Sequence, residues 1–207
     1  MRALADLMRN FLQIGYVTDD IDAAAAYLES TFGTIECVRH FKSSLGRANP
    51  GTAPGSSVVV DGVLADEWLI DVALVNAGAT NLEIIRPVDG AVGLYRGASR
   101  PGAPATVHHL GFRIDDFDAA SEIVAASGMT WTQFGRSGDV RFGYLDATAS
   151  LGHYIEVMEL GPQGAAMFAG LEAASDAAGP QGVSVAGTGV RHAGQANAQW
   201  WNPTLKE

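Results

Sequence analysis

Residues 13–32 read QIGYVTDDIDAAAAYLESTF, and residues 109–128 read HLGFRIDDFDAASEIVAASG. The two stretches align without a gap at an offset of 96. Six of twenty positions are identical, among them Gly15/Gly111, Asp20/Asp116 and Ala24/Ala120. Each opens on a short apolar run, passes an Asp pair and continues with apolar residues at helical spacing. A carboxylate at that point accepts from the free N–H groups of a first helical turn, so each Asp pair supplies an N-cap. Ile21, Ala24, Ala25, Leu28 and Phe32 then share a helix face in the first copy, as do Phe117, Ala120, Ile123 and Val124 in the second. Gly33 and Gly128 are the expected helix stops. The same order of strand, acidic turn and helix, met twice, marks an internal duplication.

Three more strand-like runs follow each helix, at 34–43, 68–76 and 81–86 in the first copy and at 130–135, 140–146 and 153–159 in the second. Each copy therefore reads β-α-β-β-β, and the fold class is α+β. The expected organisation is a first module over 10–90, a linker over 91–106, a second module over 107–160, and a C-terminal part over 161–207. That last part starts with a helix near 165–177 and runs into a Gly-rich tail. Trp200 and Trp201 in the tail are expected to pack on their own domain or on a second subunit. Residues 44–64 (SLGRANPGTAPGSSVVVDGVL) have no counterpart in the second copy. They read as a long loop with one short strand at Val58–Val60, and loops of this length are commonly functional.

Composition narrows the function classes. The chain has 207 residues, 47% hydrophobic and 17% charged, which suits a packed core and excludes a disordered chain. The net charge is −10 with no basic stripe, so nucleic acid is not an expected partner. No apolar run approaches the roughly 18 residues of a membrane span. The opening MRALADLMRN lacks the apolar stretch of a signal peptide. The single cysteine, Cys37, reads as a core thiol, and a cytoplasmic location is the default. No nucleotide-binding glycine motif, GxSxG or CxxC occurs.

Strand parity singles out four polar residues. Side chains alternate between faces with period two. Leu12, Ile14 and Tyr16 oppose Gln13, Gly15 and Val17; Leu110, Phe112 and Ile114 oppose His109, Gly111 and Arg113. The bulky set packs under the helix. The other face carries a polar residue and then a glycine, which leaves room above the sheet. The fourth strand of each copy, NLEIIRP and HYIEVMEL, encloses one carboxylate in an apolar run, Glu83 and Glu156. A buried carboxylate needs a partner or a metal. Taken singly, each residue has a plain reading: a sheet-end amide for Gln13, a core imidazole for His109, and salt bridges to Arg86, Arg113 or Arg141 for the two glutamates. Their matching places favour a shared site. Gln13, Glu83, His109 and Glu156 form an oxygen-rich donor set with one nitrogen, suited to one divalent ion such as Zn, Mn, Ni, Co or Fe. His108 points to the other face by parity and reads as structural, and His153 lies opposite Glu156. Trp68, Tyr95 and Trp131 are candidates for pocket or core.

The motifs QIGYVTDDID, LEIIRP, VHHLGFRIDD and LGHYIEVME resemble the vicinal oxygen chelate superfamily, over about residues 10–160. That superfamily includes glyoxalase I, methylmalonyl-CoA epimerase, extradiol dioxygenases and the bleomycin- and fosfomycin-resistance proteins. The resemblance implies paired βαβββ units whose mixed sheets curl around a pocket, with metal ligands on the first and fourth strands. By position these are Gln13, Glu83, His109 and Glu156. It further implies a lyase or isomerase that acts on a small oxygenated substrate through an enediolate or enolate, with Glu156 or Glu83 as the base. A homodimer is the implied assembly. The alternatives are a metal-free small-molecule binding protein and an extradiol dioxygenase. The dioxygenase is disfavoured because such iron sites take two His and one carboxylate, and the four positions hold one His.

Overall fold

The computed structural model describes residues 4–32, 36–45, 56–77 and 80–178. A 3-10 turn at Leu4–Met8 precedes β1 (Asn10–Val17) and α1 (Ile21–Phe32). Then come β2 (Glu36–Leu45), β3 (Ser57–Val60), β4 (Val63–Leu64), β5 (Trp68–Ala77) and β6 (Thr80–Gly90). The second half has β7 (Thr106–Ile114), α2 (Phe117–Ala126), β8 (Gln133–Ser137), β9 (Val140–Asp146), α3 (Thr148–Leu151), β10 (Tyr154–Leu160) and α4 (Pro162–Ala178).

The ten strands among the described residues form one curled mixed sheet in the order β2-β5-β6-β1-β7-β10-β9-β8-β3-β4. The duplication is visible in that order. β1 runs parallel to β6 and β7 parallel to β10, while β1 and β7 meet antiparallel at the centre. Each first strand therefore lies between its own fourth strand and the other half.

The helices α1 and α2 cover the outer face. Ile21, Ala24, Ala25 and Leu28 of α1 are buried with Ala73, Val75, Leu82 and Ile84. Phe117, Ala120 and Val124 of α2 are buried with Ile114, Leu145 and Val157. Both expected Asp caps form. Asp20 accepts from Ala23 N at 3.0 Å, and Asp116 accepts from the backbone N–H groups of Asp118 and Ala119. The expected stop at Gly128 has a left-handed backbone with φ of 78°. Truncating Asp116→Ala is expected to cost about 1 kcal/mol, the usual worth of an N-cap. Chemical denaturation should show it as a lower midpoint with an unchanged slope.

The inner face holds the main core. Leu45, Val58, Trp68, Ile70, Val72, Leu74, Ile85, Phe142, Tyr144 and Met158 meet there, with Leu171 of α4 packed above them. Asp139, in the turn between β8 and β9, fastens the start of α4. Its carboxylate accepts from Gln163 N at 2.6 Å and from Gly164 N at 3.1 Å.

Several expectations shift. The stretch 91–105 is turned and partly buried: Val92, Leu94 and Tyr95 belong to the core. The strand expected at 130–135 begins three residues later, and α4 starts earlier than the expected helix. The insertion carries two strands, not one. Asp61 and Gly62 close a β3–β4 hairpin with φ of 49° and 78°, the left-handed pair that a tight two-residue turn needs. β3 does not join its own half but pairs with β8, the edge of the second. Gly33, residues 46–55 of the insertion, and the tail from 179 with Trp200 and Trp201 lie outside the described residues. So do the side chains of Cys37 and of Phe32. No helix among the described residues is long and apolar enough to cross a membrane.

Candidate metal centre

Gln13 on β1, Glu83 on β6, His109 on β7 and Glu156 on β10 occupy four adjacent central strands. Their registers interlock through the two glycines. Gly15 lies opposite Glu83 on one side and His109 on the other; Gly111 lies opposite Gln13 and Glu156. A Cβ on Gly15 would sit 1.8 Å from the His109 ring, and one on Gly111 would sit 2.7 Å from Gln13 Cγ. The glycines therefore make the space in which the four polar side chains converge.

The four meet closely. His109 Nε2 is 3.2 Å from Glu83 Oε2 and 3.2 Å from Glu156 Oε2. Gln13 Nε2 donates to Glu83 Oε2 at 2.9 Å and to Glu156 Oε2 at 3.1 Å, and lies 3.5 Å from His109 Nε2. Gln13, His109 and Glu156 are buried, at 1%, 0% and 4% exposure. Glu83 keeps a small opening towards solvent. Of the arginines considered as alternative partners, Arg86 pairs with Asp71, Arg141 pairs with Asp118 and Glu159, and Arg113 is exposed.

Electrostatics in the cluster are tightly linked. Burial opposes the charged form of His109, but Glu156 and Glu83 outweigh it and push the imidazole up to about 9. Burial also raises the Glu83 carboxyl, with the charge of Glu156 adding to it and the contacts with His109 and Gln13 opposing it. Two carboxyl groups thus share one imidazole and one amide, an acceptor-rich set whose pull on the imidazole proton is the pull it would exert on a cation.

Glu83, His109 and Glu156 lie close enough to hold a metal ion. Gln13 completes the fit. Its amide nitrogen stands between the two carboxylates and beside the imidazole, filling the place of a positive group, while its Oε1 is buried without a hydrogen-bond partner. Half a turn of the terminal amide, a soft torsion, presents Oε1 to the cluster instead. The four side chains then offer three oxygens or more and one nitrogen.

The centre floors a pocket of about 750 Å³, its open mouth included. The walls are apolar, with Trp68, Ile70, Val72, Phe142 and Met158 from the sheet, and Met167 and Phe168 from α4. Tyr95 and Tyr144 stand beside the carboxylates, with Gln133 donating to the Tyr95 hydroxyl at 3.1 Å. Burial, reinforced by the charges of Glu156 and Glu83, pushes both phenols up, so they stay protonated at neutral pH.

Tyr144 and Gln133 escaped the sequence reading. The spacing of Phe142 and Tyr144 on one face of β9 was the available signal. Of the aromatic candidates, Trp68 and Tyr95 line the pocket. Trp131 stacks on Phe117 at 5.3 Å on the other side of the sheet. His153 lies apart from the cluster, bonded to the Tyr154 carbonyl. His108 departs from its expected place. The β1–β7 register passes from Gly15/His109 to Tyr16/Val107, so His108 is an extra residue in a bulge. A bulge interrupts strict alternation. The ring of His108 turns in beside His109, with the two Nδ1 atoms 3.0 Å apart and His108 Nε2 3.1 Å from the Leu94 carbonyl oxygen.

Comparison with known proteins agrees with this architecture. The family model described as Glyoxalase/Bleomycin resistance protein/Dioxygenase superfamily matches residues 12–144. No curated protein matches the sequence significantly. Among solved structures, methylmalonyl-CoA epimerase from Mycobacterium tuberculosis is similar with a TM-score of 0.51 and 18% identity, over 77% of this chain and 93% of that one. A Streptomyces coelicolor methylmalonyl-CoA epimerase variant in complex with 2-nitronate-propionyl-CoA is similar with a TM-score of 0.50 and 19% identity, over 75% and 96%. At these identities the likeness is one of fold.

Proposed function

Since the chain belongs to the glyoxalase/bleomycin resistance protein/dioxygenase superfamily, we propose that it is a divalent-metal-dependent enzyme that isomerises or cleaves a small oxygenated substrate. The observation that carries this reading is the convergence of Glu83, His109 and Glu156 around the Gln13 amide at the floor of an apolar pocket. Epimerases among the fold neighbours favour the isomerase form.

Gln13, Glu83, His109 and Glu156 would hold the ion, which would supply Lewis acidity to the substrate. The rest falls to the chain's own groups. Glu83 is the more open of the two carboxyls, which leaves it the better placed to meet substrate as a general base. It would take a proton from the carbon beside a substrate carbonyl and return it, with Glu156 as the alternative. Tyr95 and Tyr144 remain protonated and offer hydrogen bonds to substrate oxygen as negative charge builds on it. The apolar walls exclude water from that step.

The test is elemental analysis of protein purified without a His tag or chelator. About one transition metal per chain would support the reading and direct assays towards enolate chemistry. No metal, with no thermal shift on adding Zn, Mn, Ni, Co or Fe, would sink it and leave a small-molecule binding protein.

Metal binding should also depend on pH in a definite direction. The Nε2 proton of His109 must leave before the ring can act as a ligand, and this ring is held up to about 9. Below that pH each ion displaces a proton. Apparent affinity is therefore expected to rise about tenfold per pH unit from about pH 7 and to level near the His109 value. Isothermal titration in buffers of different ionisation enthalpy would report the released proton. An affinity flat across that range would contradict the assignment of His109 as a ligand.

A further inference from the structure

We propose that His108 is a positioning residue: it ties down the Nδ1 proton of His109 and so leaves Nε2 as the only ring atom offered to a cation. The purpose rests on the metal reading above; the proton arrangement does not.

The argument starts from an acceptor that has no choice. The Leu94 carbonyl oxygen can only accept, and it lies 3.1 Å from His108 Nε2. That nitrogen therefore carries a proton. His108 is 3% exposed and is enclosed by rings. Tyr154 stacks on it at 4.9 Å, Tyr95 lies at 5.0 Å, and Tyr144 and His109 meet it edge-on. Such surroundings hold an uncharged ring, because a buried unpaired cation is costly. A neutral imidazole with Nε2 protonated has a bare Nδ1, which is an acceptor. The atom 3.0 Å from it is His109 Nδ1. That contact is a hydrogen bond only if His109 donates. The proton order is thus set along the whole line, from His109 Nδ1–H to His108 Nδ1, and from His108 Nε2–H to the Leu94 oxygen. His109 Nε2 is left facing Glu83 and Glu156, 3.2 Å from each.

The bulge is what makes this line. With regular alternation His108 would face away from His109's side of the sheet. The extra residue opposite Gly15 and Tyr16 turns both rings inward. The line also reaches the turned segment after β6, so a backbone carbonyl of the stretch joining the two halves sets the tautomer of a side chain in the second. Outer partners of this type, which fix ring orientation and raise ligand basicity, are common around ligating histidines.

The experiment uses the full chain with 15N-labelled histidine. In the metal-free protein, long-range proton–nitrogen correlations are expected to show His108 neutral with its proton on Nε2. His108 protonated on Nδ1, whether as the other tautomer or as an imidazolium, would overturn the proposal. Zn2+ affinity, measured against a competing chelator, is expected to fall about 10–100-fold in His108→Phe, which keeps a ring but removes both nitrogens. His108→Gln, whose amide can donate to Leu94 and accept from His109, is expected to restore most of that loss. Equal Zn2+ affinity in wild type and in folded His108→Phe would overturn the proposal, and so would a Gln variant no better than Phe. Should His108→Phe fail to fold, the wild-type spectrum and the Gln variant decide. A wild-type protein that binds none of the five metals would overturn the metal reading instead, and the metal-free spectrum would still decide the proton arrangement.

Discussion

Glu156→Ala is expected to strip the protein of metal while leaving its fold in place. Glu156 is 4% exposed and lies within 3.2 Å of the Nε2 atoms of both His109 and Gln13. Its removal takes one carboxylate from a set that has two, so the remaining donors no longer balance a divalent charge. Losing an outer partner of a ligand costs about 10–100-fold in affinity, and losing a direct donor is expected to cost more. The scaffold should survive because β10 is held by backbone pairing to β7 on one side and β9 on the other, which the truncation leaves in place. Glu156→Gln tests the same point at constant volume: the shape is kept and the charge is lost. Metal content per chain and thermal unfolding, read side by side, separate the outcomes. A folded Glu156→Ala protein that retains a full equivalent of metal would falsify the four-donor assignment.

Gly15→Ala is expected to act through sterics alone and to remove the site together with part of the stability. The added Cβ would stand 1.8 Å from His109 Cε1. The ring cannot retreat, since it is fully buried, bonded to His108 on one side and packed at 5.2 Å against Tyr144 on the other. Overfilling a packed interior costs about 1–3 kcal/mol, sometimes more. Here the strain falls on β1 and β7, the two central strands. Thermal unfolding should drop, and metal binding should be lost even in the fraction that remains folded. The equivalent change at Gly111 meets the flexible Gln13 chain first, at 2.7 Å, and should be milder in stability. Equal unfolding temperatures for wild type and Gly15→Ala would contradict this account.

The duplication made the centre of this fold readable from sequence. Repeated polar-x-Gly patterns on β1 and β7, with one carboxylate inside each fourth strand, placed Gln13, Glu83, His109 and Glu156 on one face by parity, and the structure brings them together. The Asp caps and the buried faces of α1 and α2 were legible because both depend on local spacing. What escaped depends on breaks in spacing or on distant partners. His108 was misplaced because a bulge suspends the alternation from which its direction was read. Tyr95 sits in a segment that reads as a linker, yet it is buried against Trp68 and His108. The Asp61–Gly62 turn carried a hairpin signal inside a stretch that its glycines and prolines presented as loop. No local pattern could reveal that β3 would add to the edge of the other half.

That added edge bears on how the chain reaches its folded state. Ser57 pairs with Arg136 and Val60 with Gln133, and Gln13 pairs with Gly111, so both the rim and the middle of the sheet join residues far apart along the chain. Loops of that size must close before either pairing yields stabilisation, which places folding on the slow side for a chain of this kind. During synthesis the β3–β4 hairpin waits for β8 to emerge, and β1 waits for β7. The donor cluster draws two strands from each half, so neither half holds it alone, and the proposed cation site would form only once the two halves have joined.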